Sequence, residues 1–239
     1  MQYLIFDIET VPNEEAGWEP PEDNPDAFPP TPAWKIVSIG GMLLSLDRSS
    51  RDPNKVLYFG NFGEPDNEVL MLHQFLELCK EERPILASFN GRRFDIPVIE
   101  QRCMRWGIQA PFFFSKGFRY RFQDDHHFDL VEQISNYGSA WTGKLVDNCA
   151  ALGMPGKMDV AGDKVEELIA VGKQKDVDAY CLCDVAETAW LLVRYLHLRS
   201  DINSITNYNA VHAIKSACLA KDNPMPVSYT HLRAHETNC

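Results

Sequence analysis

The run Leu4-Ile5-Phe6-Asp7-Ile8-Glu9-Thr10 constrains this chain more than any other segment. It reads as a strand, and side chains two apart on a strand share a face. Asp7 and Glu9 therefore project together, with Ile8 on the opposite face. Two acids on one face of a buried strand repel each other. Burying a carboxylate without a partner is costly or forces protonation. A divalent cation would relieve both, and an oxygen-rich, thiol-free donor set suits magnesium or manganese. An exposed strand end with two solvated acids fits the same pattern.

Two further segments narrow the choice. In Ser88-Phe89-Asn90-Gly91-Arg92-Arg93-Phe94-Asp95-Ile96-Pro97, a short apolar strand meets an Asn-Gly turn signal. Asp95 then precedes the helical spacing of Ile96 to Trp106, where an acid can also serve as a cap. In Tyr180-Cys181-Leu182-Cys183-Asp184, positions 180 and 184 share a face of a helix expected from about Lys173 to Leu198. Each segment has a bland explanation taken singly. Their combination does not.

The set Asp7-x-Glu9, Asn90-Gly91-x-x-Phe94-Asp95 and Tyr180-x-x-x-Asp184 resembles the three motifs of DEDD-type 3′–5′ exonucleases. Tyr180 points to the tyrosine subclass, since the histidine subclass has His five residues before the last Asp, where this chain has Ala179. The nearest resemblance is to stand-alone predicted exonucleases related to the proofreading domain of family B DNA polymerases. It runs from Gln2 to about Leu198 and includes Phe128-Asp129-Leu130 and Leu152 to Lys157.

The resemblance implies an α/β, ribonuclease H-like fold, a mixed central sheet with helices on both faces. It implies two divalent cations, Mg2+ or Mn2+, held by Asp7, Glu9, Asp95 and Asp184. Asp7 would bridge the pair, Glu9 and Asp184 would share the ion that generates hydroxide, and Asp95 would act on the second ion through water. Tyr180 would orient the attacking water. Asn90, Phe94, Arg92 and Arg93 would contact substrate, the two arginines at phosphate. The implied partner is a single-stranded nucleic-acid 3′ end, most readily DNA. An RNA 3′ exonuclease, or a non-catalytic nucleic-acid-binding domain of the same fold, remains open.

Composition agrees with one large α/β domain of 239 residues, 45% hydrophobic. No apolar run is long enough to cross a membrane. Seven cysteines show no zinc-type spacing. With a strand starting at once and leaving no room for a signal peptide, they favour a reducing cytoplasm. Cys181 and Cys183 read as packing thiols. The net charge of −11 argues against non-specific coating of DNA. One basic and aromatic stretch, Phe112 to Phe122, could stack unpaired bases and follow phosphates. The slightly favoured reading is an apolar segment with a charged outer face.

The expected order is strand Gln2–Ile8, a loop Pro12–Pro32 beside the site, strands Ile36–Leu46 and Val56–Phe62, and helix Asp66–Glu82. Strand Ile85–Phe89, the Asp95 helix and a short strand at His127–Leu130 follow. The remainder is helical, with a break near Gly153–Gly162. Gly138 to Lys144 nearly spells a phosphate loop, but Leu145 lacks the needed hydroxyl and no strand runs into it. Adjacent His126 and His127 would point to opposite faces and chelate poorly. Residues 227–237 resemble a translated sequencing adapter. The exonuclease domain is therefore expected at 1–226 and could be truncated at its C-terminus, with 227–239 a non-native tail. Asp7 so close to Met1 favours a stand-alone protein over the proofreading part of a polymerase.

Overall fold

The computed structural model describes residues 1–47, 54–154 and 164–220. Five strands form one sheet: β1 (Gln2–Pro12), β2 (Trp34–Ser45), β3 (Lys55–Asn61), β4 (Ile85–Ser88) and β5 (His127–Asp129). Their order is β3-β2-β1-β4-β5. The first three strands pair antiparallel, while β4 runs parallel to both β1 and β5. Seven α-helices are described: α1 (Glu68–Glu82), α2 (Asp95–Trp106), α3 (Leu130–Ile134), α4 (Leu145–Ala151), α5 (Val165–Ala170), α6 (Gln174–Leu198) and α7 (Ser204–Ala220).

The alternation of β1 divides the core in two. Tyr3 and Ile5 pack with Val185, Ala189 and Leu192 of α6 and with Ile214 of α7. Leu4, Phe6 and Ile8 pack with Leu72 and Phe75 of α1 and with Val98 and Ile99 of α2. The central strand is thus covered on both faces, and Asp7 and Glu9 extend the face that α6 covers.

Three departures from the sequence expectation bear on the site. Strand β1 continues past Ile8 to Pro12 because β2 stays paired with it as far as Trp34. The register shifts just after Glu9, where β2 carries one extra residue, Val37. Such bulges increase local twist and re-aim side chains. Strand β4 stops at Ser88, and its pairing with β1 ends at Ile5–Ala87. The β1 edge from Phe6 onward is left open beside the turn that follows β4.

Asn67 caps α1 by accepting the Leu70 amide at 3.0 Å. Gly138 follows the turn after α3 rather than a strand, so no phosphate loop forms there. The expected break near Gly153–Gly162 lies largely outside the described residues, as does the segment 227–239. No described helix is long and apolar enough to cross a membrane.

Candidate active site

The half-buried Asp7 and the buried Glu9 share a face of β1, under α6. The Cys181 thiol of α6 reaches them, donating to the Asp7 carbonyl at 3.4 Å and lying 3.9 Å from Asp7 Oδ2. Asp7, Glu9 and Cys181 each offer a ligand atom, all within 4.8 Å of one another. Cys181, read from sequence as a packing thiol, thus packs directly against the two acids. Its burial and the Asp7 and Glu9 charges push the thiol well above its ordinary range, so it stays protonated there.

Helix α6 approaches this closely because β2 places Gly40 opposite Asp7. A Cβ at position 40 would lie 2.9 Å from Cys181 Sγ and 3.2 Å from Val185 Cγ2. Polar contacts fix the start of the helix. Asp178 accepts from Ser38 Oγ at 2.8 Å and from Gln174 at 2.9 Å, and Asn61 donates to the Asp178 carbonyl at 3.1 Å. Tyr180 follows within the next turn. Burial first, then the negative charges of Glu9, Asp7 and Glu187, raise its phenol far above the ordinary range. The phenol is therefore neutral and near both β1 acids. Asp184 lies one turn further along α6, and its Oδ1 is shut off from solvent.

Asp95 is the first residue of α2 and is buried. Its carboxyl is raised well above the usual range by burial, then by the charges of Asp7 and Asp129. Its own amide and that of Ile8 hydrogen-bond to it and pull the other way. Asp95 thus faces the β1 edge amide of Ile8, at the point where β4 has stopped.

The turn that carries Asp95 is strapped to Asp129. Asn90 adopts a left-handed conformation (φ 71°) and donates its amide to Asp129 Oδ1 at 3.1 Å. Arg92 donates its amide to Asp129 Oδ2 at 2.8 Å. The same carboxylate caps α3 through the Val131 and Glu132 amides. Gly91 is small for a different reason: a Cβ there would meet Ser88 Oγ at 2.5 Å. The role of Asp129 in holding this turn could not be assigned from sequence. Its signal was the Phe-Asp-Leu run that starts a helix.

A cleft of about 630 Å³ opens beside Asp7, Ile8 and Asp95, with Asn90, Arg93 and Phe94 on its wall. Phe28, Pro29, Pro30 and Thr31 of the loop before β2 also line it. Phe94 packs between Phe28 (5.8 Å between ring centroids) and Trp34 (5.9 Å). Arg92 is a correction. Its guanidinium pairs with Glu132 at 3.0 Å and donates to the carbonyls of Phe118 and His127, so it braces the interior instead of meeting phosphate. His127 contacts Ser88 Oγ at 2.8 Å and stacks on Phe118, away from any metal role.

The mixed sheet, with a carboxylate-lined cleft beside the middle of its central strand just past the end of β4, defines a ribonuclease H-like exonuclease fold. Residues 26–237 match the model of a family described as predicted 3′–5′ exonucleases related to the exonuclease domain of PolB. The chain belongs to that family. The matched span begins after β1, so Asp7 and Glu9 lie outside it. The chain is also similar to the DNA polymerase epsilon catalytic subunit of Dictyostelium discoideum, 27% identical over 155 residues. The corresponding polymerase subunit of Emericella nidulans is 29% identical over 147 residues. These alignments cover 58% and 57% of this chain but only 6% of either relative. In fold, the chain is similar to the family B DNA polymerase of the archaeon Pyrobaculum calidifontis, with a TM-score of 0.54 and 19% identity. That likeness covers 88% of this chain and 27% of the polymerase.

Proposed function

We propose that the chain is a divalent-metal-dependent exonuclease that removes nucleotides from the 3′ ends of single-stranded DNA by a two-metal mechanism. The observation that supports this reading is the closeness of Asp7 to Glu9 under the Tyr180–Cys181 turn of α6, with Asp95 lining the same cleft as Asp7 and feeling its charge. Clustered acids of which one is pushed toward protonation are a donor set short of positive charge, and Mg2+ or Mn2+ fits it. Asp7, Glu9, Asp95 and Asp184 would hold the ions. Divalent cations held there would supply an acidified water and stabilise charge on the leaving 3′-oxygen.

The protein's own groups do the rest. A neutral Tyr180 phenol orients the attacking water by hydrogen bonding and does not take its proton. Phe94, braced by Phe28 and Trp34, packs against the terminal base. Asn90 and the exposed Arg93 frame the cleft wall where a phosphate would run. The similarity to DNA polymerase subunits supports DNA over RNA.

The test uses end-labelled DNA and RNA oligonucleotides with magnesium, manganese or chelator. DNA should shorten stepwise from its 3′ end only with metal. Asp7→Ala should abolish this while melting, without metal, at the wild-type temperature or above, since one repelling acid is gone. Full magnesium-dependent activity in Asp7→Ala would sink the assignment.

A further inference from the structure

Arg93 belongs to two adjoining hollows. On one side it lines the acidic cleft. On the other it lines a hollow of about 440 Å³ together with Arg119, Arg121 and Glu132. Arg119 in turn joins a third hollow, about 400 Å³, with Phe114 and Tyr120. Arg93 and Arg119 thus each border two of the three hollows.

The segment that builds the far end faces two ways. Phe113 and Phe118 anchor it in the core, whereas Phe114, Tyr120 and Phe122 are 66%, 57% and 58% exposed. Charge is layered in the same manner. Glu132 is mostly buried and faces two arginines, Arg92 at 3.0 Å and Arg121 at 2.8 Å. Glu100, also mostly buried, holds Arg119 at 2.6 Å, and about half of Arg119 is exposed. The Arg119 guanidinium lies 4.3 Å from the Phe114 ring centroid. The acids lie beneath and the cations lie outside, next to bare aromatic faces. In a chain of net charge −11, this is a locally basic surface.

We propose that the path from Arg93 over Arg119 to Phe114 and Tyr120 binds the strand of single-stranded DNA that leads away from the 3′ end. This rests on the exonuclease reading for which end of the strand enters the cleft. Exposed rings stack on unpaired bases, which a duplex hides between its own base pairs. Cations beside the rings follow the phosphates and release counterions. The path therefore accounts for a preference for unpaired strands by physical contact.

The experiment measures binding without turnover. Fluorescence anisotropy in chelator compares a three-nucleotide with a fifteen-nucleotide oligothymidylate on the wild-type chain and on Phe114→Ala/Arg119→Ala/Tyr120→Ala. The wild type should bind the longer strand more tightly. The variant should bind the longer strand about 10–100-fold more weakly than the wild type, with a shallower salt dependence. Unchanged affinity for the long strand would overturn the path. So would equal affinity of the wild type for both lengths, equal affinity for duplex, or a loss confined to oligouridylate. If the triple variant melts early, Tyr120→Ala alone decides, with a several-fold loss expected and no loss overturning the proposal. A wild type that binds the long strand through these residues but never shortens it in magnesium refutes the exonuclease reading and supports the path.

Discussion

Asp95 sits between opposing forces. Burial and two neighbouring acids favour its proton, and two amides favour its charge. A carboxyl raised in the fold stabilises fully below the unfolded value of 3.8, and that contribution is lost as pH rises through the folded value. The metal-free cluster is therefore a cost at neutral pH, and the proposed cations would remove it. Tyr180 is held neutral by its burial first, then by the charges of Glu9, Asp7 and Glu187. Tyr180→Phe should lower the single-turnover rate about 10²-fold, the scale of lost positioning, while leaving the magnesium-induced rise in melting temperature intact. Wild-type rates across pH would leave the hydroxyl without a catalytic part. His127 has the opposite acid response to Asp95. Burial, aided by Arg92, lowers its pKa from 6.5 to about 3. The unfolded ring takes up a proton first as pH falls. Its contribution is thus complete above 6.5 and is lost progressively toward 3. In urea titrations over that range, His127→Gln should lose less stability than the wild type. Parallel curves would show that other groups drive the acid response.

At the scale of elements, the site depends on how closely α6 lies on β1 and β2. Gly40 admits Cys181 and Val185, and the Ser38–Asp178–Gln174 contacts set the helix register. Gly40→Ala would drive a methyl into Cys181 Sγ, with overpacking worth about 1–3 kcal/mol. The expected result is a lower melting temperature and a larger fall in turnover than that destabilisation explains, since the Tyr180 turn would move off the acids. Cys181→Ala should restore part of both. A Gly40→Ala enzyme with wild-type turnover would show that α6 need not sit so close. The end of β4 at Ser88 matters equally. It frees the β1 amide at Ile8 for Asp95, and the Asp129 strap holds the intervening turn.

Across the whole molecule, the second core is fastened by a buried ion pair that links β2, α1 and α2. Glu68 and Arg102 are 5% and 4% exposed. They meet through two bonds of 2.7 Å, while the Ile36 amide and Trp106 Nε1 fill the remaining acceptor sites of Glu68. Arg102→Met would strand the buried carboxylate and cost about 3–5 kcal/mol in denaturant unfolding. Adding Glu68→Leu should recover part of that loss but not all, because two donors then lose their acceptor. No recovery would mean that packing, not the stranded charge, dominates. The succession of strands and most helices along the chain was legible in sequence because apolar period and capping residues are local signals. The pairing of Asp7 with Glu9 on one face followed from the two-residue period alone, and Tyr180 with Asp184 from the helical turn. Other features were not legible: the bulge after Glu9, the thiol among the acids, the inward turn of Arg92 and the Glu68–Arg102 pair. Each is decided by contacts between residues far apart in the chain, where burial sets the cost of every unpaired charge. The sequence determined which side chains share a face; only the tertiary structure decided which of them meet.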